Sequence, residues 1–136
     1  VWKLQSAKFL GDYYFSIKMK NREINNCERP WGRYFVLEDN PKYKIKRIEV
    51  NPKSRLSYQY HKKRSETWVI IEGKATVTIE GKNKNISKGD TIVIPKTSKH
   101  RIENKGDEKL VFIEVQTGTY FGEDDIIRLN DDYNRI

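Results

Sequence analysis

From Arg29 onward, apolar and polar positions alternate in short runs separated by turn residues. A period of two puts successive side chains on opposite faces of a strand. Arg33 to Leu37 and Tyr43 to Val50 read as strands around the turn cluster Glu38-Asp39-Asn40-Pro41. In the second of them the alternation is imperfect: Tyr43, Ile45, Arg47 and Glu49 share one face, and Lys44, Lys46, Ile48 and Val50 the other. Leu56 to His61 predicts a further strand. Thr67 to Ile71 and Lys74 to Ile79 flank Glu72-Gly73, which predicts a hairpin. Glu80-Gly81-Lys82-Asn83 turns again, and Lys88-Gly89-Asp90 precedes a strand over Thr91 to Ile94. His100 to Glu103 and Leu110 to Val115 flank Asn104-Lys105-Gly106-Asp107. About eight or nine short strands without a central helix predict an all-β sandwich or barrel. Glu123 to Leu129 is expected to form a short helix. Residues 1–28, aromatic and then polar, keep no firm period. They read as an N-terminal arm or the remnant of a preceding region, which leaves 29–136 as the folded domain.

Composition narrows this picture. A chain of 136 residues suits one domain with one core. Its 12% aromatic content argues against disorder. No apolar run is long enough for a membrane span, and Val1-Trp2-Lys3-Leu4 lacks the order of a signal peptide. The lone Cys27 has no internal disulfide partner, which points to a reducing, cytoplasmic setting. The net charge of +8 admits nucleic acid or small anions as partners. The basic residues are scattered and no nucleic-acid signature accompanies them, so a small anionic ligand is the expected partner.

The candidate chemistry lies in two segments that hold both histidines of the chain. In the first, Gln59-Tyr60-His61 is followed after four residues by Glu66 and after six more by Gly73. In the second, Gly89 is followed by Pro95, His100 and Asn104. Gln59 and His61, two apart on a strand, project together, and a polar loop Lys62-Lys63-Arg64-Ser65 lets Glu66 return opposite His61. Glu66, Trp68 and Ile70 share a face, and barrel closure would bring His100 to the other three. Taken singly, each residue has an ordinary explanation, such as a structural histidine or a solvated hairpin glutamate. Jointly, two imidazoles, a carboxylate and an amide oxygen suit Zn, Mn, Fe, Co or Ni rather than a thiolate-selecting metal.

The two segments resemble the paired motifs of the cupins, with Gln59 in place of the first histidine and Thr97 in place of an inner glycine. Arg29-Pro30-Trp31-Gly32, Arg55-Leu56-Ser57, His100-Arg101-Ile102-Glu103-Asn104, Ile113 to Gly118 and Gly122 to Ile126 look more narrowly like the type II phosphomannose isomerase cupin. That family is often the C-terminal domain of a bifunctional mannose-6-phosphate isomerase/mannose-1-phosphate guanylyltransferase. The chain departs from it at Lys62 and Lys63, where the family often runs in histidines, and at Thr67, where it often has one more. The nucleotide loop of the guanylyltransferase is absent, so nucleotide transfer is not expected of this chain.

The resemblance implies a cupin jelly-roll barrel and a metal-dependent interconversion of mannose 6-phosphate and fructose 6-phosphate through an enediolate. It implies Gln59, His61, Glu66 and His100 as metal ligands and zinc as the expected metal. Arg55 and Arg101 are the candidates for holding phosphate or the enediolate, because guanidinium matches planar oxyanions. Lys62, Lys63 and Arg64 add a positive rim or form a solvated turn. Glu114 is the candidate base, with Glu103 similar and a structural ion pair as the alternative. A non-catalytic sugar-phosphate-binding cupin and a different metal-dependent cupin enzyme, such as a dioxygenase, are the other readings. Pairing of edge strands or exchange of the arm would make a homodimer.

Overall fold

The computed structural model describes residues 26–136. The predicted arm lies outside the described residues up to residue 25, and its last part is strand. Twelve strands are found among the described residues: β1 Asn26–Arg29, β2 Gly32–Asp39, β3 Tyr43–Val50, β4 Ser54–Arg55, β5 Tyr58–Tyr60, β6 Arg64–Glu72, β7 Lys74–Ile79, β8 Lys82–Ser87, β9 Thr91–Ile94, β10 His100–Asn104, β11 Leu110–Gly118 and β12 Ile127–Asn130. They form two antiparallel sheets. One runs β1-β2-β3-β11-β6-β9, the other β12-β5-β10-β7-β8, with β4 also on β10. Trp68, Ile70 and Phe112 of the first sheet and Val77, Ile86 and Ile102 of the second belong to one buried core. The predicted all-β barrel is the observed architecture.

Two local expectations are corrected. Glu72-Gly73 is not a hairpin: β6 pairs with β9 and β11, whereas β7 pairs with β8 and β10. Gly73, at φ +84°, instead turns the chain from one sheet into the other. The hairpin lies one strand later, where Glu80-Gly81 joins β7 to β8. Glu123 to Leu129 is not a helix. A single 3-10 turn, Glu123–Asp125, is followed by β12, which is held in the second sheet by β5.

The register explains how a barrel core becomes a site. Across β3, β11 and β6, Ile48 faces Phe112, which faces Ile70. The next inward row toward the other end is Lys46, Glu114 and Trp68, and the one after is Lys44, Gln116 and Glu66. The imperfect alternation of β3 therefore has a structural meaning. Its inward face is Lys44, Lys46, Ile48 and Val50, apolar at one end of the barrel and charged at the other. Strand β6 has the same gradient, from Arg64 and Glu66 to Trp68 and Ile70.

Gly118 ends β11 beside the loop that carries His61. At φ +150°, a Cβ there would lie 2.2 Å from the Lys63 carbonyl oxygen. Only hydrogen fits such an approach. Gly118→Ala is expected to cost about 2 kcal/mol or more of stability. Urea or thermal unfolding checks this, and an unchanged midpoint would contradict the close packing of these two backbones.

Candidate metal centre

The site is built at the charged end of the barrel. Gln59 lies on β5 directly opposite His100 on β10, so the two project from the same face. His61 follows β5, and Glu66 enters from β6 on the facing sheet. The nearest ligand atoms of His61, Glu66 and His100 lie within 4.8 Å of one another, and all three side chains are buried. The amide nitrogen of Gln59 is 3.5 Å from Nε2 of His61. Its amide oxygen accepts from Ser57 Oγ at 2.7 Å. Because a hydroxyl can donate or accept, Ser57 would equally hold the flipped amide, which would turn the Gln59 oxygen toward His61. The four sequence-predicted ligands are thus brought together.

Hydrogen bonds to carbonyls set the histidine tautomers. Nδ1 of His61 donates to the Asp125 carbonyl at 2.9 Å, and Nδ1 of His100 donates to the Ser98 carbonyl at 2.8 Å. A carbonyl only accepts, so both Nδ1 atoms carry the proton and, in the neutral rings, both Nε2 atoms are lone pairs. The Nε2 of His61 lies 2.9 Å from Glu66 Oε1. Two acceptors so close require a proton or a cation between them. The Nε2 of His100 is buried without any hydrogen-bond partner among the described residues. A buried orphan of this kind is costly, and a metal ion is the partner that suits a neutral imidazole beside a carboxylate. The donor set fits a borderline divalent cation.

Glu66 is secured from several sides. Oε1 accepts from Arg64 Nε at 3.0 Å and Oε2 from Trp68 Nε1 at 2.9 Å. Burial pushes its carboxyl up, but the His61 hydrogen bond and the fields of His61, His100 and Arg64 outweigh this and hold it well below the usual range. Burial lowers His100, against the attraction of Glu66. Glu114 is fully enclosed and shifts the other way. Burial and then the Glu66 charge raise it to about 7, against Lys46 and Arg64. Trp68 Nε1 also donates to Glu114 Oε2 at 3.2 Å, and Gln116 donates to Oε1.

Gln59 and Glu114 open on a small cavity of about 50 Å³, which Lys46, Glu123, Arg128 and Trp31 also line. Larger shallow grooves lie elsewhere, one of about 560 Å³ along β7 and β8. Of the candidate ligands only Gln59 lines this cavity, but the titratable Glu114, Glu123 and Lys46 line it too, so chemistry rather than size identifies the site.

Arg55, Arg101 and Glu103 are not brought there. Arg101 follows His100 on β10 and so faces outward, where it donates to Leu56 O at 2.9 Å and to Asn130 Oδ1 at 2.7 Å. Arg55 makes a bidentate pair with Asp132 at 2.7 and 2.8 Å. Glu103 is also on this outer side, 3.9 Å from Arg55. Arg64, expected in the loop, is instead an inward residue of β6 and only 2% exposed. Asp125 was not anticipated. Its carboxylate accepts from the Lys62 and Lys63 amides at 3.1 and 2.9 Å while its carbonyl orients His61, so one residue holds both the ligand and its loop. The motif Gly122 to Ile126, in which it lies, was the available signal.

The comparisons agree with this architecture. The family described as mannose-6-phosphate isomerase C-terminal matches residues 18–131. A mannose-1-phosphate guanylyltransferase of Salmonella montevideo is 42% identical over 123 residues, 88% of this chain and 26% of that protein. The alginate biosynthesis protein AlgA of Pseudomonas aeruginosa is 43% identical over 113 residues, 82% of this chain and 24% of that protein. The chain thus spans about a quarter of the length of these curated relatives. A solved Klebsiella pneumoniae protein with a double-stranded β-helix domain superposes with a TM-score of 0.63 at 18% identity, covering 71% of this chain and 77% of that one. The fold is that of the cupins. No helix of the described residues is long and apolar enough to cross a membrane.

Asp125→Ala is expected to weaken divalent-metal affinity about 10-fold, because it removes the carboxylate that holds the Lys62 and Lys63 amides and so loosens the loop that seats His61 against the retained Asp125 carbonyl. Chelator competition measures this, and unchanged affinity would remove Asp125 from its positioning role. A second expectation follows from Glu114. Its carboxyl binds a proton more tightly in the folded state, so its contribution is complete below the ordinary carboxylate value and is lost as pH rises through about 7. In metal-free protein, Glu114→Gln should flatten the decline in stability between about pH 5 and 8. Urea unfolding across that range is the check, and an unaltered slope would deny the shift.

Proposed function

The chain belongs to the mannose-6-phosphate isomerase C-terminal family, and from that premise we propose that it is a metal-dependent isomerase interconverting mannose 6-phosphate and fructose 6-phosphate. The observation that carries this reading is the buried, unpartnered Nε2 of His100 beside His61 and Glu66, with Glu114 joined to Glu66 through the shared Trp68 indole N–H. Gln59, His61, Glu66 and His100 would hold the cation, with zinc the first candidate and manganese, iron, cobalt or nickel the others. When bound, the cation supplies Lewis-acid stabilisation of negative charge on the sugar oxygens.

The chain's own residues would do the rest. Glu114, with a pKa near neutrality, is matched to taking a proton from one carbon and returning it to the next. Trp68 Nε1 bridges Glu66 and Glu114 and fixes both carboxylates. Arg64 keeps Glu66 ionised and aimed at the histidines. The apolar end of the barrel closes the site below and excludes water from it. Arg55 and Arg101, engaged on the outer face, have no part in this reading.

A coupled assay with metal analysis tests it. His61→Ala and His100→Ala should lose both metal and turnover, while Glu114→Gln should keep its metal and lose about 100-fold or more of kcat. Stoichiometric metal without turnover on any hexose phosphate would replace the enzyme with a sugar-phosphate-binding cupin. Failure to bind metal after reconstitution would end the proposal.

A further inference from the structure

We propose that Arg128 receives the phosphate group of the sugar phosphate, an assignment that rests on the substrate class proposed above. The placement follows from register. Arg128 on β12 lies directly opposite Gln59 on β5, and Gln59 lies directly opposite His100 on β10. Directly opposed residues of an antiparallel ladder project from the same face. Arg128, Gln59 and His100 therefore form one cross-strand row that starts at a metal-ligand candidate and ends at a guanidinium. Two strand spacings, about 10 Å, separate its ends. That places an anion site at the far end of a sugar whose reacting carbons sit beside the histidines.

Arg128 differs from the other cations on this cavity. Arg29 donates to the Glu28 carbonyl at 2.8 Å and to the Tyr34 hydroxyl at 3.3 Å. Arg135 makes a bidentate pair with Asp131 at 2.8 Å, and Lys46 is paired with Glu123. The Nε of Arg128 is buried and has no hydrogen-bond partner among the described residues. A buried charged donor without an acceptor is expensive. Burial is the largest cost and Arg135 and Arg29 add repulsion, which the fields of Asp131 and Glu123, both already paired with other cations, do not offset. The missing partner is an acceptor and an anion. A phosphate offers several oxygens in the fork geometry that guanidinium matches. Because Arg128 neither neighbours a candidate ligand in the chain nor bonds to one, its loss should leave the metal in place.

Calorimetric binding to metal-loaded protein is the test, with mannose 6-phosphate, mannose and inorganic phosphate as separate probes. Arg128→Gln should weaken mannose 6-phosphate and inorganic phosphate about 10- to 100-fold, with mannose affinity, metal content and melting temperature unchanged. Arg128→Lys, which keeps the charge and loses the fork, should fall between the two. Phosphate-probe affinities equal to wild type in Arg128→Gln would overturn the assignment and leave the proposed function standing. If wild type binds inorganic phosphate through Arg128 but not mannose 6-phosphate, the anion site stands and the sugar-phosphate reading fails. Should Arg128→Gln not fold, Arg128→Lys decides: weakened phosphate binding supports the assignment and undiminished binding overturns it.

Discussion

The buried carboxylate of Glu66 is the constraint on which this structure turns. It is 1% exposed, inside a barrel whose next inward neighbours are tryptophan and isoleucine. An ion so placed persists only if its oxygens are fully engaged. Strand β6 supplies two of the partners itself, because Arg64 and Trp68 stand two residues either side and point the same way. His61 supplies a third contact from the opposite sheet. The arrangement has a consequence for Glu114, which faces Trp68 across the ladder and shares its indole N–H. Burial, and then the nearby ionised Glu66, raise Glu114 to about 7. One carboxylate is thus fixed as a ligand-type anion and the other is left able to exchange a proton near neutral pH.

The same constraint divides the barrel. Leu110, Phe112, Ile48, Val50 and Ile70 fill one end, and Lys44, Lys46, Arg64, Glu66, Glu114 and Gln116 meet at the other. Both sets lie on the inward faces of the same three strands, so the site is continuous with the core rather than attached to it. The apolar end fixes register, since a slip by one residue would turn every inward group outward. Some local strain falls at the site's edge. Thr97 has φ +72°, a region unfavourable to a β-branched residue, and its amide donates to the His61 carbonyl at 2.9 Å. That bond ties the loop ahead of His100 to the ligand on the other segment.

The convergence of Gln59, His61, Glu66 and His100 was legible because it depends on short-range spacing and on the two-residue period of strands. Gln59 and His61 are two apart, Glu66 shares the face of Trp68, and His100 begins a strand. Arg64 was missed because Lys62-Lys63-Arg64-Ser65 reads as a solvated loop, although Glu66 two residues later was the reason to expect a buried cation. The supposed hairpin at Glu72-Gly73 failed for a different reason. A turn signal reports that the chain bends, and long-range pairing decides whether the flanking strands stay in one sheet. The helix expected over Glu123 to Leu129 failed likewise, because the pairing of β12 with β5 is non-local. Arg55 and Arg101 were assigned by guanidinium chemistry without regard to face, yet the residue after an inward His100 must point outward.

Those two arginines acquire a different significance from their contacts. Arg55 grips Asp132 and Arg101 grips Asn130, so both outward side chains of the second sheet fasten the segment at the end of β12. That segment's neighbours in the chain are Asp125, which orients His61 and its loop, and Arg128, which stands in the row with Gln59 and His100. Among the described residues β12 is an edge strand held by one partner strand, the short β5. Ladder bonds to three residues are a slight anchor for a strand that lines the cavity. Charge-assisted, bidentate contacts on the outer face supply the geometry that the short ladder lacks. The pairs are partly exposed, so each adds little to global stability. Their effect is positional: they hold the final strand at the register that sets Arg128 opposite Gln59. Guanidinium groups therefore serve the site from both faces of one sheet, inside by what they present to the cavity and outside by what they prevent from slipping.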